Sequence, residues 1–118
     1  MARRSDHTRK ELKDMAIIAG KEIIAGEGFS QFSARKVAKK IGYTVGTVYN
    51  IFGSHDALIL NINATTLDDM KDFMTNCLNN TLTGEEQIKH LAACYLAFAT
   101  THNKRWSALF AYNLRFGT

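Results

Sequence analysis

The sequence predicts an all-α protein, and three observations carry that prediction. Its 118 residues contain no proline, so nothing fixes φ or removes a backbone donor inside a helix. Ala, Leu, Ile, Lys and Glu fill long stretches, whereas alternating β-branched runs are few. Apolar residues recur at three- and four-residue spacing between Ser, Thr and Gly punctuation. With 46% hydrophobic and 22% charged residues, the composition suits a chain that buries a core.

Six helical segments follow in order. The first starts at Thr8-Arg-Lys-Glu11, a capping-box pattern whose hydroxyl and carboxylate satisfy exposed N–H groups. Leu12, Met15, Ala16, Ala19, Ile23 and Ile24 recur on one face to about Ala25, where Gly26-Glu27-Gly28 supplies the stop. Ser33 caps a short second helix through Lys40, with Ala34, Val37, Ala38 and Ile41 inward and Gly42 as its end. Thr44 caps a third, to about Ile51, anchored by Val48 and Phe52. After Gly53, Ser54 and the first-turn acid Asp56 open a long fourth helix to about Leu78, closed by Asn79-Asn80-Thr81. Thr83-Gly-Glu-Glu86 is a second capping box, and the helix behind it presents Ile88, Leu91, Ala92, Tyr95 and Ala99 on one face to about Thr101. The last segment, 104–115, carries Trp106, Leu109, Phe110 and Leu114 before Gly117.

The net charge of +4 lies entirely in the first half: residues 1–60 hold ten bases against six acids, and residues 61–118 hold five of each. A basic half suggests a polyanion partner, since each neutralised phosphate releases counterions; solvated helix faces give the same pattern. No apolar run approaches the roughly 20 residues that span a bilayer, and Met1-Ala-Arg-Arg leads into polar sequence, so a cytoplasmic protein with no membrane association is expected. Cys77 and Cys94 form no CxxC pair and read as buried free thiols.

Two short helices joined by a tight turn and packed on a longer first helix form a helix-turn-helix, which presents one exposed helix to a major groove. Thr44, Thr47, Tyr49 and Asn50 give the third helix small or hydrogen-bonding side chains, and Gly46 keeps bulk away from a duplex. That helix has no base of its own, so phosphate attraction falls to Arg35, Lys36, Lys39, Lys40 and the N-terminal arm. A plain packing helix is the alternative.

The run from Ala16 through Ala19, Ile23, Ile24 and Gly28-Phe29, then Ser33-Ala34-Arg35, Val37-Ala38, Ile41-Gly42-Tyr43-Thr44-Val45-Gly46-Thr47-Val48-Tyr49, Phe52-Gly53-Ser54-His55-Asp56 and Leu58, resembles the N-terminal domain of the tetracycline-repressor (TetR) family. The resemblance implies a homeodomain-like three-helix head at residues 1–53, then a linking helix and part of a regulatory helical domain at 54–118. It implies a regulator of transcription, most simply a repressor that binds a double-stranded DNA operator as a homodimer and is released by a small-molecule effector.

By position, it places Thr44, Val45, Gly46, Thr47, Tyr49 and Asn50 in or beside the major groove, with Arg35 reaching a base, and Ser33, Thr47, Tyr49 and His55 at phosphates. The family usually has Lys where His55 stands, which predicts weaker or pH-dependent phosphate attraction; an ordinary helix-start residue is the other reading. Val45 and Gly46 offer little hydrogen bonding, so specificity leans on Tyr43, Asn50 and Arg35, or on DNA shape.

The second half resembles the start of the family's regulatory domain, with Asn103 where Pro is frequent. Met70, Phe73, Met74, Cys77, Tyr95, Phe98, His102, Trp106 and Phe110 are the residues expected to line an effector pocket, although such a stripe also describes a plain core. Family members usually continue through two late helices that pair across a two-fold axis, so either the chain is a truncated product or its dimerisation differs. No cofactor or metal is implied. The competing readings are a helical protein-interaction module and, from His90 and Cys94 on one helix face, a metal or Cys/His catalytic site that lacks further ligands and an orienting partner.

Overall fold

The computed structural model describes residues 7–116, with side chains through residue 111. Arg3 and Arg4 of the expected basic arm, the stop at Gly117 and the side chain of Leu114 lie outside the described residues. The described chain is all-helical: α1 (Arg9–Glu27), a single 3-10 turn (Phe29–Gln31), α2 (Ala34–Ile41), α3 (Val45–Phe52), α4 (His55–Cys77), α5 (Gly84–Thr101) and α6 (Asn103–Phe116).

The caps that the sequence announces are made. Thr8 Oγ1 accepts from the Glu11 N–H at 3.1 Å while Glu11 Oε1 accepts from the Thr8 N–H at 2.8 Å. Ser33, Thr44 and Ser54 accept in turn from the N–H groups of Lys36, Thr47 and Ala57 at 3.0–3.2 Å. At α5, Glu86 Oε1 accepts from the Thr83 N–H at 3.1 Å. The tight turn between α2 and α3 rests on Gly42, whose φ of 82° lies in the left-handed region. Its N–H and that of Tyr43 both donate to the Ala38 carbonyl, at 2.9 and 3.0 Å.

Helix α1 runs past the expected stop: Gly26 is still helical, and the chain turns at Gly28, whose N–H donates to the Ile24 carbonyl at 2.8 Å. The 3-10 turn that follows, which the sequence reading did not include, stacks Phe29 on Phe32 with ring centroids 6.2 Å apart.

One core joins the helices. Ala16, Ala19, Ile23 and Ile24 of α1 meet Ala34, Val37 and Ala38 of α2, Val48 of α3, Leu58 and Ile62 of α4, and Ala108 of α6. Each fully buried Ile or Leu there contributes roughly 1.5–3 kcal/mol. Small residues let the helices approach closely. At Gly20 of α1 an added Cβ would run into the Ile62 side chain and reach Phe32, so α4 lies almost against bare helix backbone. Polar ties reinforce the packing. Arg105 of α6 donates to Asp69 of α4 at 2.7 Å, Lys21 of α1 approaches the same carboxylate at 3.7 Å, and Lys104 Nζ donates to the Gly26 carbonyl at 2.9 Å.

Helix α5 differs from expectation. Ile88 is 69% exposed and Ala92 is also outside, while Phe98 is buried and Leu91, Cys94 and Tyr95 are half-buried. The helix is apolar nearly all round between Leu91 and Ala99, so periodicity selects no face; its neighbours α4 and α6 do.

Candidate nucleic-acid interface and apolar cleft

On α3 the buried side is Val48, with Phe52 half-buried beside it and the Lys13 ammonium 5.9 Å from the Phe52 ring centroid. Val45, expected at the groove, is half-buried against the core. The exposed side presents Thr44, Gly46, Tyr49 and Asn50, with Thr47 partly covered. Thr44 and Thr47 share a hydroxyl hydrogen bond of 3.1 Å. Gly46 is not demanded by space, because a Cβ there would meet only Thr44 Oγ1, at 3.7 Å; its backbone is simply bare.

The other sequence-predicted residues ring this helix. The Tyr49 ring stands 6.4 Å from His55, which in turn lies 6.1 Å from Phe32, so His55 is half-buried between two aromatics. Tyr43 shares a 3.1 Å hydrogen bond with His7 Nδ1. Ser33 is occupied as the α2 cap. Arg35 and Lys39, both exposed on α2, make no ion pair among the described residues, whereas Lys36 is paired with Glu27 at 2.9 Å and Lys40 with Glu22 at 3.3 Å. Arg35 and Lys39 therefore add positive charge on the α2 side of α3, since exposed pairs screen their own charge, while Arg9 and Lys13 add it at the end of α3. The sequence reading missed Arg9, which grips Asn50. Only the helical register of α1 against the end of α3 reveals it.

In the second half, α4, α5 and α6 enclose a cleft of about 430 Å³. Of the residues expected at a pocket, Met70, Tyr95, Trp106 and Phe110 line it, joined by Leu60, Asn63, Ala64, Leu67 and Leu109. Phe73 and Phe98 instead pack on each other at 5.7 Å, His102 packs on Phe98 at 4.7 Å, and Met74 and Cys77 lie further along α4. The cleft sits nearer the head than the Met and aromatic stripe because α6 crosses α4 around Asp69. Trp106 Nε1 donates to the Tyr95 hydroxyl at 2.9 Å. Asn63, on the apolar side of α4, is 6% exposed and its Oδ1 is buried with no partner among the described residues. A polar amide in register with the buried Leu58, Ile59, Ile62 and Thr66 was the sequence signal for it.

His102 borders a second, smaller hollow of about 260 Å³ with Ala25, Lys104 and Arg105. Both cysteines are free thiols. Cys94 Sγ lies 3.8 Å from His90 Nε2, and hydrogen bonding to Cys77 pushes the Cys94 thiol above its ordinary range, away from the thiolate that nucleophiles and metal ligands use. Among the described residues no three His, Cys, Asp or Glu side chains converge on a metal position, and no helix is long and apolar enough to cross a membrane.

Residues 17–62, from the middle of α1 into α4, match the family described as bacterial regulatory proteins, tetR family. No curated protein matches the chain. The match covers the three-helix head with its exposed α3, and residues 17–62 are a DNA-binding domain of the tetR family of bacterial transcriptional regulators.

Proposed function

We propose that residues 1–53 read an operator through α3 and that residues 54–118 form a regulatory part whose cleft takes a small-molecule effector that releases the protein from DNA, making the chain a repressor. The observation that carries this reading is the exposed side of α3: uncharged, hydrogen-bonding and bare at Gly46, beside the cations Arg35 and Lys39, which form no ion pair among the described residues. Such a surface fits base edges in a major groove, while the flanking cations meet phosphates.

Thr44, Gly46, Thr47, Tyr49 and Asn50 are the groove-facing residues of this proposal, with Arg35 at a base and Ser33, Tyr43, Val45 and His55 holding the helix or meeting the backbone. A homodimer would set two heads on half-sites about one DNA turn apart or a multiple of it.

Affinity selection from a random duplex pool at two salt concentrations tests the reading. Enrichment of a near-palindrome, with the logarithm of affinity falling by about 0.9 per phosphate contact for each tenfold rise in salt, supports it. Absence of duplex binding at low salt overturns it.

A further inference from the structure

We propose that the cleft between α4, α5 and α6 recognises a compact, uncharged, largely apolar molecule with a single hydrogen-bond donor, which the Asn63 carboxamide receives. The inference rests on the effector reading above for its regulatory meaning, but its chemistry comes from the cleft itself.

Among the described residues, no charged side chain lines the cleft. The ion cluster nearest along α4, in which Arg105 at 2.7 Å and Lys21 at 3.7 Å share the Asp69 carboxylate, lies outside the cleft lining. A charged ligand entering here would give up its hydration without compensation. Leu60, Leu67 and Phe110 supply apolar walls, and a volume of about 430 Å³ admits a molecule of a few rings, near the lower end of the roughly 300–1,000 Å³ of ligand pockets.

The polar atoms available are few, and one of them is spent. Trp106 Nε1 has a single proton and donates it to Tyr95 at 2.9 Å, which fixes the ring as a wall. Asn63 remains. Its side chain is more than nine-tenths buried, it lines the cleft, and its Oδ1 has no partner among the described residues. An unsatisfied buried carbonyl is costly, and packing alone would favour an apolar residue at this position, four after Ile59 and one after Ile62. The last torsion of an Asn side chain is broad, so a modest rotation brings the carbonyl to a donor held in the cleft.

The test uses the full chain and three probes of one shape: 1-adamantanol, its methyl ether and adamantane-1-carboxylate. None absorbs where tryptophan does, and Trp106 is the single tryptophan, so its emission reports occupancy. Adamantanol should bind about tenfold tighter than the ether, the loss expected when a buried acceptor is left without its donor, and the carboxylate should not bind in the same range. In Asn63→Leu the alcohol and ether should converge to within about twofold, with the thermal midpoint confirming the fold. Equal affinity for alcohol and ether in the unmodified chain, tighter binding of the carboxylate, no binding of any probe, or a preference that survives Asn63→Leu overturns the proposal. DNA affinity separates the two readings. Donor-dependent binding that leaves DNA affinity unchanged upholds the recognition and removes the effector role, whereas DNA release by alcohol and ether alike keeps the effector role and overturns the assignment to Asn63.

Discussion

Arg9, in the first turn of α1, holds Asn50 near the end of α3: its Nη1 donates to Asn50 Oδ1 at 3.0 Å and its Nη2 to the Asn50 carbonyl at 2.8 Å and the Ile51 carbonyl at 3.3 Å. The guanidinium fork thus places a cation at the helix C-terminus and fixes the amide so that its NH2 faces outward. Arg9→Lys keeps the charge and loses the fork. If Asn50 meets a base as proposed, selected operators should then lose about tenfold discrimination at one position, with affinity for random duplex little changed. An unaltered base preference would show that Arg9 does not orient Asn50.

Gly46 offers a separation of stability from binding. Its Cβ space is free, so Gly46→Ala should stabilise the fold by about 0.5–1 kcal/mol through helix propensity. The same methyl would stand between α3 and the bases, and operator affinity should fall at least about tenfold. Thermal melting and a titration with the selected operator read the two effects; a variant that gains stability and binds equally well removes Gly46 from the interface.

Tyr49→Ala should abolish most specific binding without unfolding the protein, because the residue is 38% exposed and the anchoring is done by Val48 and Phe52. Tyr49→Phe keeps the ring beside His55 and removes only the hydroxyl, so it should retain most of the affinity while losing the proposed contact to phosphate. Unchanged operator affinity in the Ala variant contradicts the docking.

Asp69 ties acid sensitivity to the α1, α4 and α6 junction. Burial pulls its carboxyl upward, but hydrogen bonding from Arg105 and the positive charges of Lys21 and Arg105 outweigh that pull and hold it below the ordinary carboxylate range. A depressed carboxyl stabilises the fold above the unfolded-state value of about 3.9 and loses that contribution as pH falls through the lower folded value. Asp69→Asn should therefore lower the melting temperature by a few degrees near neutral pH and flatten its decline below about pH 4. An identical acid limb in the variant would place the sensitivity elsewhere.

Much of the fold was legible because its signals are local. Thr8, Ser33, Thr44 and Ser54 each mark a helix start with a side chain that the structure uses as a cap, Glu86 closes back on the Thr83 N–H at the start of α5, and Gly42 marks the αL turn. The rotation of α5 was not legible, since Leu91 to Ala99 is apolar on every side and only packing against α4 and α6 chooses the inward face. The exposed residues of α3 were readable from its spacing, although Val45 turns toward the core. Arg9 with Asn50, forty-one residues apart, depends on how helices cross, which no local pattern encodes; Asn63 stood in the buried register of α4, but its place in a cleft also depends on that crossing.

The contact of Ile62 with the bare backbone at Gly20 gives the long fourth helix a fulcrum. On the α1 side the contact is backbone, which has no rotamer to yield, so any adjustment falls to the Ile62 side chain. Met70 lies eight residues beyond Ile62 and His55 seven before it, arms of about 12 and 10 Å at 1.5 Å per residue. A rigid tilt of α4 about that point would move Met70, in the cleft wall, and His55, beside Tyr49, in opposite directions and by similar amounts.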